Sequence, residues 1–391
     1  MRRGFLGGTF NPPHLGHVRA AAEAARELAL DVLYVIPAGI PPHKELPEGG
    51  ASASQRLEMT RLAFDGIPGL QVLDWELRRK GKSYTADTVE ELQALDPEGE
   101  LWMLCGTDMF DTLPDWHRGD WLLQTLRVAP YPRKEGEEAF IDTLAEKYRR
   151  EFGTTVRRIR VQPLDVSSTE LREQLQKGEG AALLPGEVYR FILKHRLYSV
   201  RPQPEALWEL AKPWYKESRI AHVLGCRETA LRLARRWGAD ELDAENAAIL
   251  HDITKKMPVE EQLQFCEKRG IINFSFHPEY EATLHAFSGA AAAALEFGVS
   301  PEVESAIRWH TTGKPDMSLL EKIIWLADYI EPSRRGFPGL EEVRRLAYCD
   351  LDEALRLAMR NSLRYLEERG AAPHPATRET LAFLCRGEVS P

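Results

Sequence analysis

Along the first half of the chain, short apolar runs alternate with segments whose apolar positions recur every three to four residues. "RRGFLGG", "DVLYVIPAG", "LQVLDWEL", "ELWMLCG", "LRVAPYP" and "VRRIRVQPL" have strand length, whereas "HLGHVRAAAEAARELAL", "SQRLEMTRLAF", "TADTVEELQAL" and "FIDTLAEKYRREF" keep the helical period. That alternation predicts βαβ units in an α/β fold with a doubly wound, Rossmann-like parallel sheet. From Arg201 onward the strand pattern disappears, and "SRIAHVLGCRETALRLARRWG" and "LLEKIIWLADYI" typify a run of amphipathic helices, an all-α bundle. The proline-rich "RPQP" at 201–204 marks the joint. The pattern thus divides the chain into a domain over 1–198, a linker over 199–206 and a helical domain over 207–391. No internal repeat or low-complexity tract is visible, and the alanine run 290–294 reads as a tightly packed helix.

Length and composition agree with two ordinary soluble domains. The chain has 391 residues, 43% hydrophobic and 28% charged, which is ample apolar material for two cores. A net charge of -9 excludes the broad basic field that duplex nucleic acid requires, so any phosphate must be met locally. Five cysteines, Cys105, Cys226, Cys266, Cys349 and Cys385, are scattered without a C-x-x-C pair and read as reduced, mostly buried thiols. The N-terminus passes at once into an apolar strand, without the pattern of a signal peptide or a membrane span. The expectation is a cytoplasmic protein with no membrane partner; the sequence leaves homo-oligomer formation open.

In an open α/β sheet the first strand-to-helix turn is the favoured phosphate site, and "GGTFNPPHLGH" occupies it here. Gly7 and Gly8 let backbone approach a ligand, Pro12 and Pro13 stiffen the loop, and a helix beginning near Leu15 aims its free N–H groups outward. His14 and His17, three apart, can face one anion. A second cradle is predicted at "VSSTELR": Ser167 and Glu170 fit a capping box, and Arg172 falls on the same first turn beside Thr169. Lys44 in "PPHK" is a weaker candidate, because most loop lysines are merely solvated.

These two stretches, in this order, resemble the nucleotidyltransferase superfamily with the H-x-G-H signature. "PPHK", "KSYTADTVEEL", "LCGTDMFDTLPDWH" and "LPGEVYRFILKHRLY" narrow the resemblance to nicotinate-nucleotide adenylyltransferase, over residues 1 to about 198. It implies that ATP and nicotinate mononucleotide give deamido-NAD and pyrophosphate by direct in-line attack. It further implies that His14 and His17 hold the ATP phosphates, and that Ser168, Thr169 and Arg172 grip the leaving pyrophosphate. Gly7, Gly8, Thr9 and Phe10 belong to the same ATP-binding loop, Lys44 assists with phosphate charge, and Gly106 and Asp108 border the ribose. Trp116 stacks on the nicotinate ring while Thr85 offers an amide to its carboxylate, and Mg2+ arrives with ATP. His117 has no assigned role. Pantetheine-phosphate adenylyltransferase shares the opening motif and is the nearest rival; the Trp116 and "SYTADT" context favours a pyridine nucleotide.

In the helical half, polar residues interrupt strongly apolar segments at "RIAHVLG", "AILHDI", "TLHAF", "AIRWHT" and "WLADYI". A single helical histidine is usually packing, but burying His222, His251, Asp252, His285, His310 and Asp328 without partners would be costly, and shared metal ligation explains them together. His277 precedes Pro278 in a loop and reads as a surface residue. This half resembles the HD-domain metal-dependent phosphohydrolases, and "HTTGKPDMSLLEKIIWLADYIEPSRR" with "ATLHAFSGA" is similar to the bacterial symmetrical bis(5'-nucleosyl)-tetraphosphatases, from about Leu207 on. The stretch departs from that pattern only in lacking a leucine before Leu284-His285. The resemblance implies two divalent metals, iron by family likeness. One would be held by His222, His251, Asp252 and Asp328, the other by Asp252, His285 and His310, for hydrolysis of diadenosine tetraphosphate to two ADP. Lys255 and Arg335 are the favoured polyphosphate contacts among Lys255, Lys314, Lys322, Arg334 and Arg335. A different nucleotide substrate and a metal-dependent regulatory module remain alternatives for this half.

Overall fold

In the computed structural model, which describes residues 1–40, 50–271 and 278–386, the six apolar runs each contribute a strand. They are β1 (Arg2–Gly8), β2 (Val32–Pro37), β3 (Leu70–Val72), β4 (Glu100–Gly106), β5 (Arg127–Tyr131) and β6 (Thr155–Val156). The helices of this half are α1 (Leu15–Glu27), α2 (Ala53–Phe64), α3 (Trp75–Arg78), α4 (Thr85–Leu95), α5 (Thr107–Thr112), α6 (Gly119–Thr125), α7 (Glu138–Phe152), α8 (Ser168–Gln176) and α9 (Gly186–Lys194). Lys44 and His277, both singled out in the sequence, lie outside the described residues.

The sheet is parallel throughout, in the order β3-β2-β1-β4-β5-β6. Chain order reverses direction between β1 and β4, so the loops leaving their carboxyl ends diverge and open a crevice there. β4 is buried along both faces from Leu101 to Gly106, as expected of a parallel strand covered by helices on each side. α1 lies close to the sheet because its inner positions, Ala20, Ala21 and Ala24, are small and fully buried.

Two predicted strands are shorter than their apolar runs. "LQVLDWEL" gives only β3 before Asp74 starts the single turn α3, fastened by the Arg78–Asp74 ion pair at 2.8 Å. "VRRIRVQPL" pairs only at its first residue, Val156, together with Thr155 just before it, with lone bonds from Arg157 N–H to Val128 O and Ile159 N–H to Pro130 O beyond. Pro130, in the neighbouring strand, has no N–H to return, and the ladder stops.

The chain separates into two compact units, Met1–Ile192 with Leu197–Ser199, and Leu193–Arg196 with the chain from Val200 onward. The second is helical: α10 (Pro204–Ala211), α11 (Glu217–Trp237), α12 (Glu241–Leu250), α13 (Val259–Arg269), α14 (Glu281–Glu296), α15 (Pro301–Trp309), α16 (Leu319–Ile330), α17 (Leu340–Leu346), α18 (Leu351–Glu368) and α19 (Pro375–Leu384). Its core runs through α11, α12, α14, α15, α16 and α18, and Ala290 to Ala294 on α14 are buried throughout, so the neighbouring helices approach it closely. Among the described residues no helix is long and apolar enough to cross a membrane.

Arg56 on α2 is wholly buried and secures the carboxyl edge of the sheet. Its guanidinium donates to the carbonyls of Thr9 (2.8 Å), Ala38 (2.7 Å) and Gly39 (2.9 Å), tying the loops after β1 and β2 together. With charge-assisted bonds contributing roughly 1.5–3 kcal/mol each and water recovering part of the loss, Arg56→Met is expected to cost about 3 kcal/mol. Loss of hydrogen-exchange protection in the β1 amides measures it.

Candidate active sites

Beyond the carboxyl ends of β1 and β4 lies a cavity of about 380 Å³, lined by Gly7, Gly8, Thr9, Phe10, Asn11, His17, Gly106, Asp108, Arg133, Ser168, Thr169 and Arg172, among others. His14 is the N-cap residue of α1, and its backbone N–H donates to His17 Nδ1 at 3.2 Å. With Nδ1 accepting, His17 carries its proton on Nε2 and can donate it. The two imidazoles are in contact, ring centroids 3.7 Å apart and planes tilted by 38°. Gly16 makes that spacing fit, since a Cβ there would stand 3.0 Å from His14 Nδ1. Burial, followed by the positive charge of Arg133, pushes the His14 pKa down to about 4; burial, with His14 and Arg133, holds His17 well below its usual value. Both rings are therefore neutral at pH 7.

α8 brings the second cradle to the same cavity. Ser167 and Glu170 form the expected capping box, with Glu170 N–H donating to Ser167 Oγ at 3.2 Å. Arg172 donates to Asn11 O (2.7 Å), Ser168 O (3.1 Å) and Thr169 Oγ1 (3.2 Å), while Ser168 Oγ donates to Pro12 O (3.0 Å). The loop after β1 is thus clamped to the N-terminus of α8, and Tyr198 OH adds a 2.7 Å bond to Asn11 Oδ1.

Arg133 escaped the sequence reading. It follows β5, holds Asp108 at 2.6 Å, and passes so close to the end of β4 that a Cβ on Gly106 would lie 2.8 Å from its Cδ. A lone loop arginine carries no signal of its own; only the order β1-β4-β5 brings it to the histidines. Thr85 opens α4, and the half-buried Trp116 donates from Nε1 to Thr112 Oγ1 at 3.3 Å. The lining of the large cavity does not include either. Their chain neighbours meet: the Tyr84 and His117 rings are 4.5 Å apart.

In the helical unit, six side chains from five segments converge. His222 comes from α11, His251 is the C-cap of α12 with Asp252 just beyond, His285 lies on α14, His310 is the C-cap of α15, and Asp328 lies on α16. The histidine-aspartate pair thus stands past the helix end, where Ile253 N–H to Leu250 O and Lys255 N–H to Asp252 O form tight three-residue turns. Asp252 is fully buried: His285 Nε2 is 3.2 Å and His310 Nε2 3.7 Å from its Oδ1, and His251 Nε2 is 3.3 Å from its Oδ2. Burial alone would raise its pKa, but with no metal bound a protonated His251 beside it holds it well below the carboxylate range. On the other side, His222 Nε2 is 3.1 Å from both His251 Nε2 and Asp328 Oδ1.

The tautomers follow from the acceptors behind each ring. His251 Nδ1 bonds Ala248 O and His310 Nδ1 bonds Ile307 O, both at 2.7 Å, and His222 Nδ1 faces Glu331 Oε1 at 3.1 Å. A carbonyl or carboxylate oxygen only accepts, so each Nδ1 carries the proton and each Nε2 turns its lone pair into the cluster. The Nε2 atoms of His285 and His310 are buried without a hydrogen-bond partner, and burial pushes the His285 pKa down to about 4. Two ring nitrogens 3.1 Å apart with their Nδ1 protons committed can share either a proton or a metal ion, and the donor set of imidazole and carboxylate suits a divalent transition metal.

Other residues here were hidden in sequence. Glu331, Arg219 and Cys226 sit at the cluster, Arg219 donating to Asp252 Oδ2 at 2.6 Å and Cys226 Sγ lying 3.4 Å from His222 Nε2. Lys255 pairs with Asp252 at 3.1 Å, but Arg334, which holds Asp328 at 2.6 Å, stands where Arg335 was expected; Arg335 is exposed. Lys314 and Lys322 pair with Glu321 and Asp352 instead.

The cytidylyltransferase-like family matches residues 5–174, and the HD domain family matches residues 219–333. Over 196 residues the chain is 40% identical to the "Probable nicotinate-nucleotide adenylyltransferase" of Oceanobacillus iheyensis, spanning 50% of this chain and 95% of that protein. Over 174 residues it is 43% identical to the symmetrical bis(5'-nucleosyl)-tetraphosphatase of Bacillus subtilis, spanning 44% of this chain and 91% of that protein. A solved structure of a predicted HD superfamily hydrolase involved in NAD metabolism, from Clostridium acetobutylicum, is 34% identical with a TM-score of 0.43, covering 46% of this chain and 95% of that one.

The pKa of His14 has a direct readout. Its ring signals in a proton NMR titration should move near pH 4 and stay unchanged through pH 6.5, and a midpoint near 6.5 would contradict the burial argument. Because the folded value lies below the unfolded one, the unfolded chain takes up this proton first. His14 therefore costs stability progressively as pH falls from about 6.5 to about 4 and nothing above that window.

Proposed function

The chain belongs to the nicotinate-nucleotide adenylyltransferase family through its N-terminal half and to the HD-domain hydrolases through its C-terminal half, and from that premise we propose a bifunctional enzyme. The N-terminal unit transfers AMP from ATP to nicotinate mononucleotide. The helical unit hydrolyses diadenosine tetraphosphate to two ADP.

For the transferase, the carrying observation is the pair of helix N-termini, α1 and α8, opening on one cavity with His17, Arg133 and Arg172 in its lining. A 5'-phosphate oxygen of nicotinate mononucleotide attacks the α-phosphorus of ATP as the bond to the β-phosphate oxygen breaks, so no proton transfer is required. Negative charge grows on the departing pyrophosphate, where the N–H groups of α8 and the Arg172 guanidinium offset it. His17 Nε2–H donates to the transferring phosphate as a neutral group, with His14 packed behind it. The lining carboxylate Asp108 is already paired with Arg133, which suits a Mg2+ held mainly by the nucleotide's own phosphates and water. Thr85 and Trp116 are assigned the nicotinate end.

For the hydrolase, the carrying observation is the set of Nε2 lone pairs gathered around Asp252 and Asp328. His222, His251, Asp252, His285, His310 and Asp328 would hold two divalent ions, which when bound supply Lewis acidity and an activated water for phosphoanhydride cleavage. Glu331, Ala248 O and Ile307 O fix the ring orientations from behind. Arg219, Lys255 and Arg334 bring positive charge to the same place and receive the polyphosphate.

Offered nicotinate mononucleotide, nicotinamide mononucleotide and phosphopantetheine with ATP, the protein should turn over the first best. Preference for phosphopantetheine overturns the assignment. His17→Ala is expected to lower kcat by roughly 10²–10³-fold while deamido-NAD remains the product. With ferrous iron and diadenosine tetraphosphate under anaerobic conditions, ADP should be the sole product, and Asp252→Ala should abolish its formation while leaving the transferase rate unchanged. Metal-dependent turnover of a different nucleotide in place of this one would redirect the hydrolase reading.

A further inference from the structure

Cys226 lies one helical turn after His222 on α11, and at 1% exposure it is as buried as the aliphatic side chains around it. Its position in the apolar stripe of that helix explains why it passes for a core residue, and a small hydrophobe is the usual role of a buried thiol. Its sulfur, though, faces the polar cluster. The ligand atoms of His222, Cys226, His251 and Asp328 all lie within 4.8 Å of one another.

We propose that Cys226 is a sulfur ligand of the metal centre, so that one of the two ions is held by two imidazoles, a thiolate and the Asp328 carboxylate. The inference rests on the reading of this cluster as a metal centre and adds a donor to it. Its support is the spacing. Bond lengths of about 2.3 Å to sulfur and 2.0–2.1 Å to nitrogen or oxygen place the donors of one tetrahedral ion about 3.6 Å apart for sulfur–nitrogen pairs and about 3.4 Å for the others. The observed separations from His222 Nε2 are 3.4 Å to Cys226 Sγ, 3.1 Å to His251 Nε2 and 3.1 Å to Asp328 Oδ1, within a few tenths of an ångström of those edges. On binding, the thiol proton leaves to solvent and the thiolate lone pair goes to the metal.

The two positions then differ in kind. The first ion has His222, Cys226, His251 and Asp328 as donors, with the Asp252 carboxylate shared between the two positions. Asp252, His285 and His310 supply three to the second and leave room for water or substrate, the division that separates structural from catalytic sites. The sulfur also biases the first position toward zinc, iron or cobalt and away from magnesium.

The test uses the full-length chain, stripped with a chelator and titrated with Co2+ without oxygen, for the wild type, Cys226→Val, Cys226→Ser, His251→Ala and Asp252→Ala. Valine is close to cysteine in volume, and far-ultraviolet circular dichroism checks that each variant is folded. The wild type should bind cobalt saturably, with visible ligand-field bands and a near-ultraviolet sulfur-to-cobalt charge-transfer band. Both Cys226 variants should lose the charge-transfer band, keep visible bands, and bind about tenfold or more weakly in chelator competition. A charge-transfer band that persists in Cys226→Val, or one lacking in a wild type that still binds cobalt at a His251-dependent site, overturns the thiolate ligand and leaves the metal centre standing. Absence of saturable binding by the wild type, or binding that neither His251→Ala nor Asp252→Ala weakens, overturns the metal-centre reading and the thiolate with it.

Discussion

A helix runs out of partners for its own backbone at both ends, leaving N–H groups and partial positive charge at one end and carbonyls with partial negative charge at the other. Both candidate sites are built on that constraint, with opposite signs. In the α/β half, α1 and α8 present their N-termini to one cavity, with His14 and Ser167 as the N-cap residues. In the helical half, His251 and His310 are the C-caps of α12 and α15, and each ring leans back on a carbonyl of its own last turn. On the proposed reading, an anion is met by helix starts and a cation by helix ends. The histidines do different work for the same reason: donors of N–H in the first site, lone pairs in the second.

What surrounds each site serves to keep these ends aimed. Arg56, Arg172 and Tyr198 fasten the loop after β1 from three sides through backbone carbonyls and the Asn11 amide. Around Asp252 and Asp328 the fastening is by charge, from Arg219, Lys255 and Arg334. Where such a residue is the main partner of a buried group, as Arg56 is for the carbonyls of Thr9, Ala38 and Gly39, its loss costs more than the single bonds suggest.

The legible part of this structure is whatever depends on near neighbours in the chain. Strand and helix rhythm gives the parallel sheet and the all-α half, α4 begins and ends where its pattern does, and the Ser167–Glu170 cap is readable from spacing alone. The histidines of the helical half stand out because they interrupt apolar helices. What stays hidden depends on tertiary placement. Arg133 reaches the first site only through strand order, Glu331 is one acidic residue after a helix, and Cys226 hides because a thiol fits an apolar stripe. The choice between Arg334 and Arg335 is a matter of how the backbone leaves α16, which adjacent identical residues cannot reveal.

Pro130 has an effect that reaches beyond its own bond count. By halting the β5–β6 ladder it leaves the outer border of the sheet only two residues long, followed by Arg157, Arg158 and Arg160, while the opposite border, β3, is three residues long. A six-stranded sheet normally carries two rows of unpaired amide groups that could template a neighbouring chain. Here one border is cut short by an imino acid and flanked by charged side chains, Arg158 paired with Asp142 among them, and the other is only three residues long. Short borders of this kind offer a neighbouring chain little to pair with, so the sheet that carries the first candidate site has few free rows at its edges.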